Sequence, residues 1–196
     1  MASTFKAVNA EGYQKIMGRF SAQLATSFLR FIGEESGQTI LDLGCGTGSM
    51  TSKLAERGDH KSIVGVDVSE VYIDYARSCN EDPRIQYEVA DGSALPFQEN
   101  AFDRAVSQLV LQFMPDPFPA VQEMCRVVKP GGLIAACVWD SYGGMPSLRL
   151  LWDTAAALGF DEERSLLRPM STAGELESMW EPVSYTHLTL PTSDLV

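Results

Sequence analysis

Residues Thr39-Ile-Leu-Asp-Leu-Gly-Cys-Gly-Thr-Gly48 constrain the fold more than any other stretch of the chain. A short apolar run with a β-branched entry predicts a buried strand, Thr39 to Leu43, and it breaks into glycines at alternate positions, Gly44, Gly46 and Gly48. Such glycines serve a turn whose dihedrals a Cβ forbids, and they let a ligand lie against bare main chain. The amphipathic segment Ser49 to Arg57 then predicts a helix whose free N–H groups face that ligand. Strand, glycine turn and helix together predict a nucleotide-type site. A ligand-free turn is the plainer alternative, but an ordinary turn needs fewer glycines than this. A dinucleotide fingerprint reads G-x-G-x-x-G, and Ser49 or Thr51 stands where its third glycine belongs, which weakens a pyrophosphate reading.

At 196 residues, 45% hydrophobic and 21% charged, the chain is long enough for one domain with a sizeable core. Its net charge of −11 repels nucleic acid and anionic membrane, so a small-molecule partner is expected. No window of about 18 uninterrupted apolar residues exists, and no basic segment precedes an apolar core at the N-terminus. Neither a membrane span nor a signal peptide is indicated, and a cytoplasmic setting follows. Cys45, Cys79, Cys125 and Cys137 are scattered without C-x-x-C spacing, which predicts free thiols and no metal site.

Residues 1–11 are small and polar and are expected to fray, while Gly12 to Ile32 carries apolar residues at helical spacing, as one helix or two. Gly18 is placed to kink that stretch and Ser21 to cap its second half. Tyr13, Met17 and Arg19 are candidates to close over the ligand, Arg19 by pairing with a carboxylate. Ser62 to Asp67 predicts a second strand ending in an acid, 23 residues beyond Gly44, where a carboxylate can accept both hydroxyls of a ribose or instead cap the next helix. That helix, Ser69 to Cys79, is expected to carry Val71, Ile73, Tyr75 and Ala76 along it. Arg84 to Ala90 predicts a third strand, followed by Asp91-Gly92-Ser93, which suits an adenine's exocyclic amine and ring nitrogen or a plain Asx turn.

A fourth strand is expected over Arg104 to Gln108, a helix over Phe118 to Val128, and a fifth strand over Leu133 to Trp139 after the stop Lys129-Pro-Gly-Gly132. Strand and helix in alternation mean parallel pairing with right-handed crossovers, which gathers the strands' carboxyl ends at one edge. The fold class is therefore α/β, a Rossmann-like doubly wound, mainly parallel sheet with helices on both faces. Asp140 to Gly144 predicts a polar loop, Pro146 opens a helix placed to cover a substrate, and Trp139, Tyr142, Met145 and Trp152 are candidates for an apolar pocket. A last helix is expected from Ser171 to Trp180, capped at Ser171 or Thr172.

Taken in order, Ile40 to Gly48 (with Asp42 two residues before the first glycine), Val64 to Asp67, Ala90 to Phe97, Phe102 to Asp116 and Arg126 to Gly132 resemble the motifs of class I S-adenosylmethionine (SAM) dependent methyltransferases, in the small-molecule branch that includes quinone-biosynthesis enzymes. The resemblance spans about residues 10–180 and implies SAM as cofactor and a small-molecule methyl acceptor. It implies a cofactor site of Asp42, Gly44, Cys45 and Gly46 at the glycine loop, Asp67 and Val68 at the ribose, Asp91, Gly92 and Ser93 at the adenine, and Ser107 and Gln108 near the methionine end; Tyr13 and Arg19 join that site as the residues placed to close over it. The nucleobase-amine branch carries Asp or Asn, two prolines and an aromatic where this chain has Ser107-Gln108-Leu109, so that branch is disfavoured. The family pattern has seven strands, and five are found. Residues 12–181 therefore read as a SAM-binding domain lacking its last strands, and 182–196, which resemble a tail recurring on unrelated reading frames, as a non-native end.

SAM brings an activated sulfonium, so the protein has mainly to align acceptor, methyl and sulfur and exclude water. No catalytic residue is assigned: His60 is expected on the edge opposite the site and His187 in the tail, which leaves Asp140 as a spare carboxylate. Two rival readings stand beside methyl transfer, a SAM-binding protein without efficient catalysis and an NAD-dependent oxidoreductase.

Overall fold

A computed structural model of the chain describes residues 9–33, 35–140, 146–160 and 173–180. The chain opens with helix α1 (Ala10–Tyr13), passes without a break through a π-helical turn (Gln14–Gly18) and continues as α2 (Arg19–Ile32). Strand and helix then alternate through β1 (Thr39–Leu43), α3 (Ser49–Arg57), β2 (Ser62–Asp67), α4 (Glu70–Ser78) and β3 (Ile85–Val89). They are followed by β4 (Phe102–Gln108), a 3-10 turn (Leu111–Phe113), α5 (Phe118–Val127), β5 (Val128–Cys137), α6 (Pro146–Ala157) and α7 (Ala173–Trp180).

The five strands form one parallel sheet in the order β3-β2-β1-β4-β5. Side chains alternate across β1 and β2 and divide the core in two. Ile40 and Ile63 pack with Phe28 and Leu29 of α2, Leu54 of α3 and Ile73 of α4. On the opposite face Leu41 and Val64 pack with Val121, Met124 and Val127 of α5, and Leu176 and Met179 of α7 lie against that cluster. Since β1 pairs with β2 on one side and β4 on the other, the strand order reverses beside β1, and a crevice opens there at the strands' carboxyl ends.

Several local expectations change. Ser21 caps nothing, because α2 follows the π-turn directly and encloses it. On α4 the buried face is Tyr72, Ile73 and Ala76, whereas Val71 is half exposed, and Ser69 rather than Asp67 supplies the cap by accepting from the Tyr72 N–H. Strand β5 begins at Val128, ahead of the expected Leu133, and runs through Lys129-Pro130-Gly131-Gly132. Pro130 is tolerated because the pairing with β4 jumps from Phe102–Val128 to Arg104–Leu133, so residues 129–132 bulge out and its missing N–H breaks no ladder. On the helix expected to cover a substrate, α6, Leu151 is exposed, as is Leu158 just after it. Tyr142, Met145, the side chain of Trp152, the cap at Ser171 or Thr172 and the whole of 181–196 lie outside the described residues. Among the described residues no helix is long and apolar enough to cross a membrane, and no group of three or more His, Cys, Asp or Glu could hold a metal ion.

Candidate functional site

A cavity of about 180 Å³ occupies the crevice, where a single water needs only about 10–15 Å³. The glycine turn forms its floor. Gly44, Gly46 and Gly48 have φ of 75°, 54° and 87°, a region that side chains other than glycine rarely adopt, but their surroundings differ. A Cβ on Gly44 would run into the Val110 side chain and one on Gly48 into the Tyr87 hydroxyl, so those two glycines admit neighbouring protein. A Cβ on Gly46 would meet no protein atom within 4 Å; this glycine presents bare backbone to open space.

Asp67, at the end of β2, holds that backbone in place. Its Oδ2 accepts from the Gly46 N–H at 2.9 Å and its Oδ1 from the Ser69 N–H at 2.8 Å, while burial raises its pKa above the ordinary carboxylate value. Asp42 lies deeper. It shares a face of β1 with Ile40, so its side chain points toward α3, where Thr51 Oγ1 donates to its Oδ2 at 2.5 Å. Burial pushes the Asp42 carboxyl up to about 7 even though Thr51 favours its charged form. Cys45, buried next to both carboxylates, is likewise raised, chiefly by burial.

Asp91 takes the N–H and the hydroxyl of Ser93 on its Oδ1, at 2.9 and 2.7 Å, and these bonds lower its pKa. The Asx turn weighed against the adenine reading is thus present, at a residue that lines the cavity. Both bonds use one oxygen, so the other can serve a ligand. From β4, Gln108 Nε2 donates to the Ser21 carbonyl of α2 at 2.8 Å. Leu109, directly after that strand, has φ of 62°, an uncommon conformation for a large side chain, beside the ligand space.

Of the residues singled out from sequence, Tyr13, Asp42, Gly44, Cys45, Gly46, Asp67, Val68, Asp91, Gly92, Ser93 and Gln108 all line this one cavity. Two do not. Ser107 is fully buried on the other face of β4, and the exposed Arg19 lays its guanidinium over the Phe20 ring, 4.6 Å from the centroid. Trp139, proposed for an apolar pocket, is also outside the lining; its backbone N–H donates to Gln112 Oε1. Thr47, Tyr72, Phe113, Met114 and Asp116 join the wall unforeseen. Tyr72 was legible only through its helix face, and Phe113 and Met114 only through the turn that folds them back over the strand ends. Among the described residues four aspartates line the cavity and no Lys, Arg or His does.

Residues 41–136 match the family model described as a methyltransferase domain. A demethylmenaquinone methyltransferase of Clavibacter sepedonicus is 35% identical over 113 residues, which is 57% of this chain and 45% of that protein. The chain thus spans about half the length of the curated relatives it matches. Among solved structures, an S-adenosylmethionine dependent methyltransferase from Mesorhizobium loti is 32% identical, with a TM-score of 0.52, over 57% of this chain and 52% of that one. A structure from Methanococcus maripaludis, 20% identical with a TM-score of 0.63, covers 94% of this chain and 88% of its own and shares the fold.

Proposed function

Since residues 41–136 belong to the SAM-dependent methyltransferase family, we propose that this chain binds SAM in the crevice and transfers its methyl group to a small-molecule acceptor. The observation that carries the proposal is Gly46: bare backbone at positive φ, open to the cavity and braced by the acid of the next strand. SAM fits that donor set. Asp67 retains lone pairs for ribose hydroxyls, Asp91 an oxygen for the adenine amine, and the glycine loop N–H groups and the Gln108 main chain suit the methionine end. Bound there, SAM would supply an electrophilic methyl, so this chain's residues have to bind, orient and exclude water rather than activate. Leu109, Val110, Phe113 and Met114 form the dry wall for that purpose.

A nicotinamide dinucleotide is the poorer fit. Its pyrophosphate would enter a cavity whose lining holds four aspartates and, among the described residues, no basic side chain. The acceptor is proposed only as a small molecule; the name of the Clavibacter relative makes demethylmenaquinone one acceptor to include in a panel. The test is methyl transfer from SAM across such a panel, read as release of S-adenosylhomocysteine. Turnover of at least one member supports the proposal, and SAM binding without turnover of any would favour a SAM-binding protein without efficient catalysis.

A further inference from the structure

The N-terminal helices meet the cavity at three named contacts. Tyr13 packs on Tyr72 of α4 with ring centroids 5.2 Å apart, the Ser21 carbonyl takes the Gln108 amide, and Gln14 Oε1 accepts from Thr47 Oγ1 at 2.8 Å. The third differs in kind from the others. Thr47 stands inside the glycine loop, between Gly46 and Gly48, and is 8% exposed. A hydrogen bond to its hydroxyl therefore fixes the loop that the proposed function assigns to the cofactor.

The sequence is arranged to make that bond. Gln14 opens the π-helical turn Gln14–Gly18, whose wider winding separates it from an uninterrupted α-helix; such turns inside helices are frequent at functional sites. Gly18 closes the same turn, and a Cβ there would fall on the Gln14 side-chain amide. Glycine in mid-helix costs stability relative to alanine, so its position calls for a local reason. The reason on view is that only glycine lets the Gln14 side chain fold back across the turn and reach Thr47.

We propose that Gln14 is a positioning residue which, aimed by the π-turn and Gly18, latches the N-terminal helices to Thr47 of the glycine loop and so sets how long the cofactor stays bound. The inference rests on the SAM reading of the cavity. Release of bound SAM then requires the loop and the helices above it to part. Breaking the Gln14–Thr47 bond removes one neutral hydrogen bond from that barrier, which predicts a faster dissociation of about threefold to tenfold.

The test measures the dissociation rate of radiolabelled SAM chased with unlabelled SAM, on the full chain, with melting temperature as a check on folding. Gln14→Met and Thr47→Val keep size and remove the acceptor or the donor, and each is expected to release SAM faster by that factor. The double variant is expected to match either single one, because both delete the same bond. Thr47→Ser retains the hydroxyl and is expected to restore the slow rate, whereas a contribution from packing alone would be lost with the methyl group. Gly18→Ala, which displaces the Gln14 amide, is expected to behave as Gln14→Met does. Additive effects in the double variant, or a fast rate in Thr47→Ser, would overturn the latch while leaving the cofactor reading intact. A wild-type chain that binds no SAM would overturn the cofactor reading and the latch with it.

Discussion

The carboxylate of Asp67 accepts a hydrogen bond from the backbone N–H of Gly46 at 2.9 Å, joining the end of β2 to the middle of the glycine turn after β1. One side chain thus fixes the loop and, in the proposed SAM site, would also take the ribose hydroxyls. Asp67→Ala removes both roles, and each hydrogen bond to a charged group contributes about 1.5–3 kcal/mol. SAM affinity is expected to fall by about a hundredfold or more by calorimetry. An unchanged dissociation constant would remove Asp67 from the ribose.

Gly44 and Gly46 separate folding from binding. Both have positive φ, so alanine at either costs about 1–2 kcal/mol in backbone strain. At Gly44 the new methyl also collides with Val110, whereas at Gly46 it enters open cavity. Gly44→Ala is expected to lower the melting temperature by more than about 8 °C, beyond the roughly 2–8 °C that backbone strain alone gives. Gly46→Ala is expected to melt closer to wild type and to lose SAM binding. Equal melting temperatures for the two variants would count against the packing described around Gly44.

Asp42 makes stability depend on pH. Its folded pKa is about 7 against an ordinary 3.8, so between about pH 4 and pH 7 the native state holds a proton that the unfolded chain releases. Stability contributed at this group is therefore greatest below pH 4, declines as pH rises to 7 and is level above. The raised Asp67 acts in the same direction, while the lowered carboxyls of Asp91, Asp103 and Glu123 act oppositely and at lower pH. Only the difference between wild type and Asp42→Asn isolates Asp42. In urea unfolding, that difference is expected to move in favour of the variant by a few kcal/mol, on the order of 1.4 per pKa unit, between pH 5 and pH 8. A pH-independent difference would contradict the buried, proton-holding carboxyl.

Glu123 and Arg126 of α5 hold the loop that leads away from Asp91. Glu123 accepts from the Leu95 N–H and from Arg126, each at 2.7 Å, and Arg126 donates to the Leu95 and Phe97 carbonyls at 3.1 and 2.8 Å. Arg126→Leu is expected to cost about 1–3 kcal/mol and to speed hydrogen exchange at the Leu95 amide more than at β1 amides. Uniform acceleration across both would mean that the pair supports the whole fold rather than this loop.

The glycine turn and the acids at the strand ends were legible because each announces itself within a few residues, and the parallel sheet follows from their alternation with helices. What stayed hidden is carried by distance. Thr47 meets Gln14 across 33 residues and Gln108 meets Ser21 across 87, and no local pattern encodes either pairing. On α4, Val71 and Tyr72 both fit an apolar stripe, and only the packing of Tyr72 against Tyr13 decides which is buried. Ser21 has the chemistry of a cap but sits inside one long helix, because the π-turn takes up the irregularity that Gly18 suggested. Arg19 has the charge for a ligand carboxylate and spends it on Phe20.

The crevice beside β1 is proposed as a SAM site rather than a dinucleotide site. Calorimetric titration of the wild-type chain with SAM, S-adenosylhomocysteine and NAD, repeated on Asp67→Ala, tests it most directly. A SAM site is expected to bind SAM and S-adenosylhomocysteine at one site each, with a dissociation constant at least a hundredfold weaker in the variant, roughly the loss of two hydrogen bonds, and to give no heat with NAD. Saturable binding of NAD with none of SAM would contradict it.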